Sequence, residues 1–258
     1  MTAFTRFIAL GDSMTEGMCD EIVDGKYRGW ADRTADTLAK ANPNFTYVNL
    51  AIRGKLLNQV IDDQIPAALP FISGPETLVS FHAGANDVLR PNYQADIAFA
   101  RYEKGISDLA KTQATLIVFT VVDRVEGNGK TAQLWHERFS AFNINVRDVA
   151  KKYGAIIIEA DDAKWLADLR FLAKDRLHLN FDGHWRLSQA VLEKLGKDFD
   201  PNWKIPLAPA RKKSWLLKNS ENLIWIITFV IPWIWRRIRG RSSGDGRSAK
   251  YETPISWK

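Results

Sequence analysis

Ser13, His178 and Asp175 are the residues whose types and spacing best suit covalent attack on a carbonyl carbon. A serine hydroxyl is a poor nucleophile until a neighbouring base takes its proton. Histidine suits that task, because it can accept the proton and later return it to a leaving group. In Asp175-Arg176-Leu177-His178 the carboxylate precedes the imidazole by three residues. Within one turn it can accept from Nδ1–H and fix the tautomer that leaves Nε2 as the base. Ser13 stands in Gly11-Asp12-Ser13-Met14-Thr15-Glu16-Gly17, between an apolar run and a helix start. There the hydroxyl is exposed, and the first helical amides have no acceptor within the helix.

Such residues need a scaffold that brings the two ends of the chain together. Short apolar runs at Phe7–Leu10, Phe45–Leu50, Thr77–Phe81, Thr115–Val122 and Ala155–Glu159 read as strands. Amphipathic runs near Arg28–Ala41, Leu57–Leu69, Ala95–Thr112, Leu134–Lys152 and Gly183–Lys197 read as helices. A run such as TLIVFTVV is apolar on both alternations, as expected of a strand covered on both faces. Strands alternating with helices imply a parallel, doubly wound sheet. The expected fold is therefore α/β, a flavodoxin-like three-layer α/β/α arrangement with a five-stranded parallel sheet and an apolar, basic C-terminal tail. The loops at the carboxyl ends of such strands share one edge, where ligands bind. Ser13, Asn49–Gly54 and Gly84–Asp87 all fall in such loops.

The order GDS, NLAxxG, GxND and DxxH resembles the sequence blocks of the SGNH hydrolases, also called the GDSL esterase/lipase family. The resemblance runs from about Phe7 to Leu195. It implies a carboxylic ester hydrolase (esterase, lipase or acylhydrolase) with an acyl-serine intermediate and a catalytic triad of Ser13, Asp175 and His178. It also implies an oxyanion hole formed by the backbone amides of Ser13 and Gly54 and the Asn86 side chain. The GxSxG elbow of another hydrolase class is absent, since Thr15 stands where its second glycine would be.

Each residue also has a plainer reading. Serines often cap helices, and Ser13 precedes one. Asn86-Asp87 suits a turn, with Asp87 a supporting residue, and Gly54 suits a positive φ. Asp175 and His178 would contribute little as a surface pair. Among the other histidines, His82 reads as structural, His136 lies at a polar helix start, and His184, two residues after Asp182, is the rival to His178. Cys19 reads as packing. Asp161-Asp162 reads as a loop or helix start. The histidines and the single cysteine offer no metal-ligand spacing, so neither metal nor cofactor is expected.

Residues 1–200 form the expected catalytic domain, and Pro201, Pro206 and Pro209 open a Pro/basic linker over 201–213. An apolar helical segment with an arginine cluster covers 214–241, and a polar end expected to be mobile covers 242–258. From Lys204 onward there are 12 Lys/Arg against 3 Asp/Glu, whereas the preceding residues hold 24 against 27. An acidic body argues against nucleic acid as a partner. Leu223–Trp235 is uncharged but only about 20 Å long as a helix, too short for a hydrocarbon core near 30 Å. Its tryptophans and following arginines suit peripheral contact with a membrane surface. The first residues lack a secretory signal's pattern, and one cysteine allows no internal disulfide. A cytoplasmic, bacterial enzyme at the inner membrane face is the expectation, acting on a small-molecule or lipid ester. An acyltransferase using the same serine is one alternative. A binding module without catalysis, whether membrane-associated or holding a phosphate in GDSMTEG, is another; Asp12 and Glu16 would repel a phosphate.

Overall fold

Successive residues of the first strand, β1 (Arg6–Gly11), face opposite sides of the sheet, and both sides are covered. Ile8 and Leu10 point into one apolar cluster, Phe7 and Ala9 into another. This arrangement comes from a computed structural model of the chain, which describes residues 3–123, 129–159, 164–210 and 214–258. A separate short hairpin pairs Ile22–Val23 with Lys26–Tyr27. The other strands of the main sheet are β2 (Thr46–Asn49), β3 (Thr77–His82), β4 (Thr115–Phe119), β5 (Ile156–Ile158) and β6 (Tyr251–Ser256). They order as β5-β4-β3-β1-β2-β6, with the first five mutually parallel and β6 antiparallel to β2.

The helices are α1 (Ser13–Glu16), α2 (Trp30–Lys40), α3 (Ala85–Val88), α4 (Ala95–Ala110), α5 (Lys130–Tyr153), α6 (Phe181–Lys194), α7 (Trp215–Trp225) and α8 (Ile231–Ile238). Residues of α4, α5 and a helical segment over 57–68 fill one cluster, and residues of α2 and α6 fill the other. The three-layer α/β/α reading thus holds. The 57–68 segment contains a π-helical turn at Val60–Gln64, which hydrophobic periodicity alone does not reveal. Asp161 and Asp162 lie outside the described residues, as do 211–213 of the linker.

Two differences concern the tail. The sheet has six strands rather than five, and the expected mobile end over 242–258 instead contains β6. Lys250 anchors it. Its ammonium lies 2.8 and 2.9 Å from the two carboxylate oxygens of the buried Asp32 and donates to the Tyr27 carbonyl at 2.8 Å. Tyr251 and Trp257 close an aromatic cluster on Tyr47, with ring centroids 4.9–5.7 Å apart. Pro254 is tolerated because an edge strand has no ladder partner on its outer side.

Candidate active site

Three loops and the turn before α6 converge at the carboxyl edge of the sheet. The first follows β1. Gln64 from the π turn holds the strand end at two points, donating to the Gly11 carbonyl at 2.9 Å and accepting from its amide at 2.8 Å. Asp12, not Ser13, caps α1, its side chain accepting from the Met14 amide at 3.2 Å. That removes the capping explanation for Ser13 and leaves its hydroxyl for another partner.

The partner is His178, whose Nε2 lies 2.9 Å from Ser13 Oγ. Asp175 Oδ2 lies 2.6 Å from His178 Nδ1, and Asp175 Oδ1 accepts from the amides of Leu177 and His178, each at 3.0 Å. With Nδ1–H committed to Asp175, the free lone pair of the imidazole faces the serine hydroxyl. Burial pushes the Asp175 carboxyl up, but the hydrogen bond and charge of His178 and the two amides outweigh it. The carboxyl stays ionised, at about 2. Arg176, within this turn, has φ 57, a conformation uncommon for a residue with a side chain.

The second loop follows β2. Buried Asn49 donates to the Thr15 carbonyl at 3.1 Å and accepts from the Ala51 amide at 3.1 Å, tying this loop to α1. Glu16 makes a second tie, accepting from the Arg53 amide at 2.6 Å and from Arg53 Nε at 2.9 Å. Gly54 has φ 75, as its left-handed turn requires. The third loop carries Asn86, whose Nδ2 donates to Asp12 Oδ2 at 3.0 Å and to the Lys55 carbonyl at 3.1 Å. Ser13, Asp175 and His178 are thus joined directly, Asn86 is tied to the Ser13 loop through Asp12, and Gly54 sits between Arg53 and Lys55, which bond to Glu16 and Asn86. Asn86 differs in one respect: acceptors on the protein already take both its amide hydrogens. Asp87, the neighbouring turn residue, accepts from the Leu57 amide at 2.8 Å.

The rival histidine sits elsewhere. His184 is fully buried, its Nδ1 accepting from the Trp30 amide at 3.3 Å and its Nε2 lying 3.2 Å from the Met18 carbonyl. Burial pushes its pKa down to about 3, so it stays neutral and structural. His82 packs on Phe119 with ring centroids 4.9 Å apart, and His136, on α5, pairs with Asp123.

Two participants escape the sequence reading. Asp12 is buried, and desolvation pushes its carboxyl up to about 6 against the lowering influence of the Met14 amide, His178 and Asn86. Its place after a strand and before a helix signals a cap, but nothing in the spacing signals Asn86 as its partner. Cys19, with φ 74, brings its sulfur to 3.7 Å from Asp175 Oδ2. Burial and the Asp175 charge push its thiol up to about 12. The Cys19, Asp175 and His178 ligand-type atoms lie within 4.8 Å of one another, a grouping no local spacing reveals. The Asp175–His178 bond already engages two of the three groups.

The GDSL-like Lipase/Acylhydrolase family matches residues 9–186, and the chain belongs to that family. Solved structures share the fold. An acetyl xylan esterase variant from Geobacillus stearothermophilus, Axe2-W215I, superposes with a TM-score of 0.63 at 18% identity, covering 78% of this chain and 99% of that one. The unaltered Axe2 from the same organism gives 0.61 at 17% identity, covering 78% and 100%. LAE5, an alpha/beta hydrolase enzyme from the metagenome of Lake Arreo, Spain, gives 0.59 at 21% identity, covering 76% and 97%. No curated protein matches the chain. Family membership makes this protein a hydrolase acting on esters.

Proposed function

We propose that the chain cleaves a carboxylic ester through an acyl-Ser13 intermediate. The carrying observation is the continuous path from Asp175 to His178 to Ser13, with contacts of 2.6 and 2.9 Å. Ser13 Oγ attacks the ester carbonyl while His178 Nε2 takes its proton. Asp175 holds the imidazole in the required tautomer and stabilises the imidazolium. The carbonyl oxygen becomes an oxyanion, facing the amides of Ser13 and Gly54 and the Asn86 side chain. Removing one such donor commonly costs roughly 2.7–4 kcal/mol of transition-state stabilisation. Asn86 serves the oxyanion by sharing a hydrogen now given to Asp12 or Lys55. His178 passes its proton to the departing alkoxide, and the alcohol leaves. Water then attacks the acyl-serine with His178 again as base, releasing the acid.

Labelling with a fluorophosphonate tests this reading. The wild-type chain should be modified on Ser13, and both Ser13→Ala and His178→Ala should lose labelling and ester turnover. Modification of another serine, with turnover retained in Ser13→Ala, would remove the proposal.

A further inference from the structure

We propose that residues 215–241 form a docking arm that seats the mouth of the Ser13 site on an anionic lipid bilayer. The arm is held to one loop of the site near its middle and to another at its C-terminal end. Trp225 Nε1 donates to the Asp175 carbonyl at 2.8 Å. Arg176 Nη1 donates to Asn222 Oδ1 at 2.7 Å, and its guanidinium packs 5.0 Å from the Trp225 ring. Beyond α8, Ser242 Oγ donates to the Gly54 carbonyl at 3.3 Å. Gly244 lies so close to the Arg53 carbonyl that a side chain there would overlap it.

From Trp215 to Ile238 the arm is helical, through α7, a π turn at Ile226–Val230 and α8, and it turns apolar surface outward. Trp215, Ile224 and Ile238 are 73%, 62% and 72% exposed. Within α7 alone, exposed Trp215, Leu217, Leu223 and Ile224 spread over more than half the helix circumference, at about 100° per residue, and Ile227, Ile231 and Trp235 extend the exposed apolar surface beyond it. A helix docking on one protein partner needs a narrower stripe. A fluid apolar layer accommodates the wider one. No helix among the described residues is long and apolar enough to cross a membrane, so the arm lies in the interface.

Charge selects the lipid. The arm contains Lys218 and Arg236, Arg237, Arg239 and Arg241 against Glu221 alone. Arg239 packs 4.4 Å over the Trp235 ring, pairing an aromatic and a cation as headgroup regions favour. Trp235, Arg236, Arg239 and Arg241, with Ser242, Asp245 and Gly246, line an open cavity of about 570 Å³. Asp245 accepts from the Ser242 amide at 2.8 Å, and three arginines against one acid leave the lining cationic, with room for an anionic headgroup. Two copies packed arm to arm would instead gather like charges with little acid to balance them. On the ester reading above, the arm makes the substrate a lipid ester carried in that bilayer.

The test uses the full chain with Ser13→Ala, so that binding is read without turnover. It should sediment with vesicles of phosphatidylcholine mixed with phosphatidylglycerol and far less with phosphatidylcholine alone. Ile227→Glu with Ile231→Glu should abolish sedimentation. Arg236→Ser with Arg239→Ser and Arg241→Ser should weaken it on the order of a hundredfold, with an unchanged melting curve. No binding to the mixed vesicles would overturn the proposal. So would a dimer in sedimentation velocity that the glutamate variants dissociate, since a second copy would then own the face. Vesicle binding by a wild-type chain that fluorophosphonate does not label would sink the ester reading and leave the arm standing.

Discussion

The Asp12 carboxylate accepts a hydrogen bond from Asn86 Nδ2 at 3.0 Å, joining the loop that carries Ser13 to the third loop of the site. Because Asp12 is buried and its carboxyl is raised to about 6, the folded chain holds this proton more tightly than the unfolded one. The associated stability is fully present below about pH 4 and is lost as pH rises through about 6, by up to roughly 3 kcal/mol. Asp12→Asn should remove that slope. Urea unfolding at intervals across this range, with wild type and variant side by side, reads the difference directly. Parallel curves would mean that Asp12 ionises normally.

Asp175 contributes in the opposite sense. Its carboxyl is held at about 2, below its unfolded value, so its contribution persists above about pH 4 and fades only on further acidification. Asp175→Asn should leave the fold intact and reduce kcat by about 10⁴ by favouring the wrong imidazole tautomer. A steady-state assay with a chromogenic acetate ester reads this. A loss below about tenfold would show that His178 is oriented by other means.

At Gly244, a methyl group would overlap the Arg53 carbonyl beside Gly54. Gly244→Ala should cost about 1–3 kcal/mol, as overpacking commonly does, and should slow turnover of the same ester. Ser242→Ala, which removes two hydrogen bonds of 3.2 and 3.3 Å but adds no overlap, should do less. Equal melting temperatures and rates for Gly244→Ala and wild type would show that this segment does not rest on the loop.

The Lys250–Asp32 pair is buried on both sides. Desolvation already pushes the Asp32 carboxyl up, with Lys250 offsetting part of the effect. Lys250→Met should therefore destabilise the chain by about 3–5 kcal/mol, because it strands a buried carboxylate. Adding Asp32→Leu to that variant should restore part of the loss. Denaturant unfolding of the two variants checks both steps.

Much of this architecture is legible along the chain, since burial on both faces leaves the apolar runs of the five parallel strands unbroken. The Asp175–His178 step is legible too, because its geometry is local. What escapes is non-local or polar. Gln64 looks like any exposed helical glutamine until the π turn aims it at Gly11. Cys19 meets Asp175 across 156 residues. Tyr251–Ser256 has the composition of a loose end, and only distant partners explain its order: Asp32 for Lys250 across 218 residues, and Tyr47 for Tyr251 and Trp257. Asn86 was identifiable as a donor, but its present acceptors were not.

An arm fastened at only one end would sweep a wide arc and meet a surface at any angle. Here Trp225 holds the arm at the end of α7, and Ser242, Lys250 and the sixth strand hold its C-terminal end. In the docking proposed above, the protein would therefore land in essentially one pose, its site always facing the same way. Bending the arm at the bilayer would load two opposing loops together, much as pressing a bridge deck loads both abutments.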